Sequence, residues 1–265
     1  MSGISLIPLT GICEVEPGDN LAEHIWRAMR ADGVMPEQGD LLVVAHKVVS
    51  KAEGRVVNMA EVKPGAEAVR LAEETGHTPE LTQLILDESE QVYPYRDRGI
   101  LMSRHRLGWT CANAAIDHSN APEGQAILLP LDPDESARKL REALRERTGV
   151  SMPILISDTH GRSLREGIIG IAVGCCGLEA VKNYVGRTDR FGHRLNVSRE
   201  AVADELCAAA TLCMGQADES VPAVLIRGYA YTPAETGSAP LKRKPERELF
   251  RPACDRIVKE GGNSL

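Results

Sequence analysis

The sequence predicts a mixed α/β fold of the α+β kind, with sheets flanked by helices, and three observations support it. Short apolar runs of strand length alternate with longer segments of helical periodicity along the 265 residues. No repeat, low-complexity tract or Pro/Ser-rich linker interrupts them before Ala230. Neither G-x-x-x-x-G-K-S/T nor a G-x-G-x-x-G opening a helix after a strand is present, so no P-loop or Rossmann motif is expected. Any nucleotide must be held by another device.

Taken in order, Asp19-Asn20 offers a cap for a first helix carrying Leu21, Ile25 and Met29 on one face, and Gly33 follows its end. Further helices are expected near 65–75, 79–90, 133–147 and 198–214. The runs Leu41 to Val44, Ile127 to Leu129, Ile154 to Ile156, Ile168 to Val173 and Ala223 to Ile226 are short and bounded by polar or turn residues, as buried strands are. The glycines of GIIGIAVGCCG at 167–177 lack phosphate-loop spacing, which favours close packing of strand against helix. Residues 1–230 are expected to form the catalytic region, with room for two subdomains. The stretch 231–265 begins with YTPAETGSAPLKRK and reads as an exposed excursion followed by a C-terminal helix.

Composition narrows the class. With 43% hydrophobic residues the chain can bury a substantial core. The seven cysteines, Cys13, Cys111, Cys175, Cys176, Cys207, Cys213 and Cys254, show no C-x-x-C or zinc spacing and read as reduced thiols of a cytoplasmic protein. The adjacent Cys175-Cys176 reads as two small hydrophobes. No stretch approaches the ~18 apolar residues of a membrane span, and no signal peptide opens the chain. A net charge of −7, with two Phe and two Trp, argues against a nucleic-acid partner.

Four polar clusters follow apolar strands or helices, where α/β proteins gather ligands. His46-Lys47 with Ser50-Lys51 could neutralise a polyphosphate, or form a solvated turn. Asn113 with Asp117-His118-Ser119-Asn120 could supply a hard carboxylate oxygen to Mg²⁺ or Mn²⁺, or stabilise a turn through its own backbone. Ser157-Asp158-Thr159-His160-Gly161-Arg162 could present a carboxylate and a hydroxyl to one metal, with Arg162 stabilising a transferring phosphoryl group, or be a capped strand-to-loop turn. Met214-Gly215-Gln216, with Asp218-Glu219, could complete a coordination shell, or expose a surface amide. His24, His77, His105 and His193 lack partners at metal or triad spacing and read as surface or packing residues.

At these clusters the sequence resembles the coenzyme F420:L-glutamate ligase family. The motifs stand in the family's order as GDNLAEHI at 18–25, HKVVSKAEGR at 46–55, NAAIDHSN at 113–120, SDTHGRSLREG at 157–167 and LCMGQADESVPAVLIRG at 212–228. The resemblance implies a dimeric ligase fold and GTP-dependent addition of L-glutamate to a deazaflavin carboxylate, with two divalent ions, Mg²⁺ or Mn²⁺, and K⁺. It places guanine-nucleotide contacts at Ile12, Cys13, Glu14 and Val15, and phosphate-side contacts at His46, Lys47 and Lys51. Further nucleotide contacts fall on Asn120 and on Met214, Gly215, Gln216, Ala217, Asp218, Glu219, Ser220 and Val221. The divalent ions fall on Asp117, Asp158, Thr159 and Gln216. Ligation of an amino acid to another carboxylate, and a noncatalytic nucleotide-binding paralogue, are the alternatives. Ala115 replaces the family's usual Gly, so a positive φ there would carry strain. Cys13 and Ser163 stand where Pro is common.

Overall fold

Strand β1 (Ser5–Leu9) leads into helix α1 (Leu21–Ala31), β2 (Leu41–Ala45), α2 (His46–Ala52) and β3 (Val56–Asn58). Helices α3 (Ala66–Thr75) and α4 (Pro79–Asp87) precede β4 (Ser89–Tyr95), β5 (Ile100–His105), β6 (Thr110–Ala112) and β7 (Gln125–Ile127). Helix α5 (Pro133–Thr148), the hairpin β8 (Ile154–Arg162) and β9 (Arg165–Cys176), β10 (Lys182–Asn183), β11 (Arg199–Glu200), α6 (Val202–Met214) and β12 (Ala223–Arg227) complete the order. This α+β architecture is that of a computed structural model, which describes residues 3–95 and 99–247. The chain divides into two units, Met1–Arg55 with Leu129–Leu241, and Val56–Leu128 with Lys242–Leu265.

The first unit is built on a five-stranded sheet in the order β1-β12-β2-β8-β9. Only β2 and β8 pair in parallel; their neighbours are antiparallel. Leu41-Leu42-Val43-Val44 is an unbroken apolar run because both faces of β2 are covered and all four side chains are fully buried. Leu41, Val43, Leu155, Val224 and Ile226 pack with Val202, Ala203, Leu206 and Cys207 of α6. Each such aliphatic side chain contributes roughly 1.5–3 kcal/mol of burial.

The glycines of β9 let helices lie on the sheet. A Cβ at Gly170 would stand 2.6 Å from Thr211 Cγ2 and 2.7 Å from the Cys207 carbonyl oxygen on α6. A Cβ at Gly174 would run into the backbone of Pro133, which opens α5. Burial, reinforced by the Asp134 carboxylate, pushes the neighbouring Cys175 thiol up to about 12, which fits a small hydrophobe and not a nucleophile. Among the described residues every cysteine is free; Cys254 lies outside them.

In the second unit β4-β5-β6 form an antiparallel sheet, and β3 pairs with β7. Strand β5 alternates half-buried and buried positions, as a strand with one covered face does. Ile85 of α4, Leu101 of β5 and Ala114 form one apolar cluster, and Leu84, Ala126 and Leu128 another.

Several boundaries differ from expectation. The helix expected to reach 90 stops at Asp87, because Glu88 is buried against Arg106 and His105 and the chain turns there into β4. The helix expected from 198 begins at Val202, because Arg199 and Glu200 pair with Asn183 and Lys182. His46 to Ala52 is a helix and not a solvated turn; His46, Val49, Ser50 and Lys51 are buried. The excursion after Tyr231 is largely exposed, but Ser238 is buried and donates its N–H and hydroxyl to Asp134. The C-terminal helix expected after it lies outside the described residues. No described helix is long and apolar enough to cross a membrane.

Candidate functional site

One end of the first unit's sheet gathers four chain segments, and strand register explains why. Leu9, the last residue of β1, pairs with Ala223, the first of β12. Ala45, the last of β2, pairs with Ser157 of β8 and donates its N–H to the Pro222 carbonyl at 2.8 Å. The loop Ile12–Val15, helix α2, the second half of β8 and the segment Met214–Val221 therefore meet at that end. All are sequence-predicted.

Within this group the contacts are specific. His46, 2% exposed, brings Nε2 to 3.2 Å from Asp158 Oδ1, and its Nδ1 lies 3.4 Å from Ser50 Oγ. Nε2 is buried beside the carboxylate yet makes no aligned hydrogen bond. Lys51, 8% exposed, is ion-paired with Glu14 of the loop after β1, where Ile12 is half-buried, Cys13 exposed and Val15 buried. Lys47 and Lys51 lie four apart on α2 and so share a face.

Asp158 and Thr159 are rungs of the β8–β9 ladder and not a strand tip, since pairing continues to Arg162. Asp158 Oδ1 accepts the Thr159 N–H at 2.6 Å. The Thr159 hydroxyl donates to Gln216 Oε1 at 3.3 Å, so the amide read in sequence as a possible surface group is joined to the strand. The register shifts between Ile156 and Ser157, where Asp204 of α6 accepts the Ala172 N–H at 3.0 Å. Burial raises the Asp204 carboxyl above the usual range. Sequence reading missed Asp204; its only signal was an acidic residue in the first turn of a helix.

Arg162 is not brought to this group. It lies four residues beyond Asp158, about 13 Å of strand, and its Nη2 donates to the Glu166 carbonyl at 2.5 Å.

After α6 the chain turns at Gly215, whose φ is +70°. A Cβ there would overlap the Glu219 carboxylate, which folds back over the backbone. That carboxylate accepts the Ala217 N–H at 2.8 Å. The N–H groups of Ala217, Glu219 and Gln216 hold it below the usual carboxylate range. Such a run of N–H groups around one anion is a nest. Gln216, Ala217, Asp218, Glu219 and Ser220 are exposed, while Met214 is buried.

Asp117 and Asn120 belong to the second unit. Asp117 exchanges both backbone hydrogen bonds with Ile127, at 3.0 and 2.8 Å, and its Oδ1 accepts the Ser119 N–H at 2.6 Å. Before it, Asn113, Ala114 and Ala115 have φ of +50°, +52° and +54° in succession. Each left-handed non-glycine residue costs roughly 1–2 kcal/mol. The expectation of strain at Ala115 is met. Asn120 also has a positive φ, +55°, which asparagine tolerates best.

Among the described residues no three His, Cys, Asp or Glu side chains converge as a cage. Asp158 offers an anionic oxygen on the face of β8 where His46 lies, and Thr159 with Gln216 offers two neutral oxygens on the opposite face. Oxygen donors of these kinds fit hard divalent ions that keep water and phosphate oxygens in their shells, as Mg²⁺ does.

Comparison with known proteins agrees with these motifs. Residues 11–228 match the family described as F420-0:Gamma-glutamyl ligase. The chain is similar to the Coenzyme F420:L-glutamate ligase of Methanothermobacter thermautotrophicus, 45% identical over 251 residues, which are 94% of this chain and 99% of that protein. The protein of the same name from Methanopyrus kandleri is 43% identical, covering 90% and 94%. That from Archaeoglobus fulgidus is 39% identical, covering 96% and 99%.

Proposed function

The chain belongs to the F420-0:gamma-glutamyl ligase family, and from that premise we propose that it uses GTP to join L-glutamate to the terminal carboxylate of a deazaflavin acceptor. The observation that supports this reading is that the loop Ile12–Val15, α2, the second half of β8 and Met214–Val221 meet at one end of the sheet, with His46 beside Asp158, Lys51 paired to Glu14 and the Thr159 hydroxyl bonded to Gln216.

An ionised carboxylate oxygen is a very poor leaving group, so amide formation in water needs activation. Transfer of the γ-phosphoryl group of GTP to the acceptor gives an acyl phosphate, which the amine of glutamate attacks, releasing phosphate and leaving GDP. Asp158, Thr159 and Gln216 would hold divalent ions, Mg²⁺ or Mn²⁺, which supply charge neutralisation on the phosphates, and the resemblance assigns Asp117 of the second unit the same chemistry. K⁺ belongs to the same expectation.

The chain's own groups have distinct tasks. His46 keeps the phosphate-side role that the resemblance implies; its Nε2 lies 3.2 Å from Asp158 Oδ1 but makes no aligned hydrogen bond to it. Lys51 exchanges Glu14 for phosphate oxygens when nucleotide enters. The loop Ile12–Val15 and the segment Met214–Val221, whose turn is held by the Glu219 carboxylate on its own backbone N–H groups, contact the remainder of the nucleotide, and the resemblance gives Asn120 of the second unit a nucleotide contact. Replacing Lys51 by Ala should accordingly raise KM for GTP about tenfold or more, the scale of one charge-assisted contact, while KM for the acceptor stays within twofold. A rise confined to the acceptor would show that Lys51 serves the other ligand.

Homodimerisation is part of the proposal. Leu164, Phe191, Val197 and Leu212 are exposed apolar side chains that a second copy would cover. Light scattering at micromolar concentration should give twice the mass of one chain, and a monomer would contradict it.

The chemistry is tested by isotope transfer. An acceptor labelled with ¹⁸O in its terminal carboxylate should deliver one labelled oxygen to inorganic phosphate per amide formed, with GDP as co-product. Label in GMP, with release of pyrophosphate, would mean nucleotidyl transfer. Unlabelled phosphate would exclude the acyl phosphate.

A further inference from the structure

We propose that Asn113 is the positioning residue for Asp117, acting by locking a left-handed turn that its two alanines would not adopt unaided. The inference rests on the reading of Asp117 as a ligand of a divalent ion.

The turn is short and fully tied down. Asn113, Ala114 and Ala115 take positive φ in succession, and the Ile116 N–H closes the turn on the Asn113 carbonyl at 3.0 Å. Two of the three are alanines, which have no side-chain group to stabilise that conformation locally. The holding contacts come from outside. Asn113 Oδ1 accepts the Leu101 N–H of β5 at 3.0 Å and lies 3.2 Å from His77 Nε2. The Ala114 N–H donates to Ser103 Oγ at 2.9 Å, and the Ala114 methyl is 1% exposed beside Ile85 and Leu101.

The turn sets the register of the chain on its way to β7. Ile116 returns to an extended conformation and packs in both apolar clusters of the second unit. Asp117 then makes its reciprocal backbone pair with Ile127. Were the turn to relax into right-handed conformations, the chain leaving β6 would take a different direction and Asp117 would lose that pairing. Strained backbone held by a surrounding network at a ligand residue is how a protein fixes a donor before its ligand arrives. His77, which reads in sequence as a packing residue, acquires a role as the second contact on the Asn113 amide oxygen.

The test compares Mn²⁺ binding, followed by electron paramagnetic resonance in the presence of GDP, with thermal melting. Asn113→Ala should weaken Mn²⁺ about tenfold or more, the scale of losing a group that orients a ligand. Asn113→Asp, which keeps an acceptor oxygen for Leu101 and His77, should stay within about threefold of wild type by the same reasoning. Ala115→Gly relieves the strain without touching the clamp, so it should raise Tm and leave Mn²⁺ affinity unchanged. The double variant Asn113→Ala with Ala115→Gly guards against loss of fold: it should recover stability yet still bind Mn²⁺ weakly. A double variant that regains wild-type Mn²⁺ affinity would make Asn113 merely structural and overturn the proposal. So would an Asn113→Ala protein that binds Mn²⁺ like wild type while Asp117→Asn does not. If Asp117→Asn itself keeps wild-type affinity, the metal reading fails, and this inference fails with it.

Discussion

Asp158→Asn is expected to lower ligation on the order of a thousandfold at ordinary metal concentration, about 4 kcal/mol of transition-state stabilisation, with the fold intact. The substitution keeps shape and removes one negative charge. Asn Oδ1 can still accept the Thr159 N–H now held at 2.6 Å, and the rungs of the β8–β9 ladder on either side are backbone pairs that do not involve the carboxylate. What is lost is the anionic oxygen at Asp158, which lies 3.2 Å from the buried His46 Nε2. A neutral amide holds a hard divalent ion poorly, and phosphate charge is then left without its counterion. Asp117→Asn should behave alike, because Asn Oδ1 can likewise accept the Ser119 N–H. Circular dichroism and melting establish the fold, and product mass spectrometry the activity. Wild-type-like turnover in either variant would sink the assignment of metal to these carboxylates.

Much of this arrangement was legible in the sequence because it rests on local chemistry. The cap at Asn20, whose side chain accepts the Glu23 N–H, and the apolar stripe of Leu21, Ile25 and Met29 mark α1. The buried runs of β2, β8 and β12 are apolar on both faces and needed no periodicity to be recognised. What the sequence hid was long-range. His46 to Ala52 has two lysines among seven residues and resembles a polar turn, yet it is buried, because Lys51 finds Glu14 from thirty-seven residues away and His46 finds Asp158 from the parallel neighbour strand. The run after Ile156 looked like a strand tip because SDTHGR is polar. It is strand because β9 supplies the partner backbone, a pairing that polarity does not report. Gly170 and Gly174 could be assigned to close packing, but not to particular helices, since that needs the fold. The three left-handed residues before Asp117 were the least readable: one Ala in place of Gly raised the question of strain at Ala115, and nothing in the composition of NAAIDHSN extends it to Asn113 and Ala114.

Gly170→Ala is the stability change expected to matter most for function, because it acts on the rung that carries Thr159. Gly170 pairs directly with Thr159 in the β8–β9 ladder and faces α6. The added methyl would stand 2.6 Å from Thr211 Cγ2, 2.7 Å from the Cys207 carbonyl oxygen and 3.0 Å from the Cys207 carbonyl carbon. A side chain could rotate away; a helix carbonyl moves only if the helix does. Overpacking of that kind costs typically 1–3 kcal/mol, and at roughly 2–4 °C per kcal/mol for a chain near this size the melting temperature should fall by about 2–12 °C. The functional effect should exceed the stability effect. Helix α6 ends at Met214, and the next turn delivers Gln216 to the Thr159 hydroxyl across a hydrogen bond already 3.3 Å long. Lifting α6 off β9 by even half an ångström breaks it, and misplacing a catalytic group by about 1 Å can cost on the order of a hundredfold. Gly161→Ala on the same hairpin is the control, since its Cβ would meet nothing within 4 Å and its φ is not positive. The expected result is a Gly170→Ala enzyme that is folded at 25 °C, binds Mn²⁺ weakly and turns over at least tenfold more slowly, beside an unaffected Gly161→Ala enzyme. Equal, near-wild-type activity in both would mean that α6 can yield at Gly170 without moving Gln216, and the coupling between strand packing and the site would be wrong.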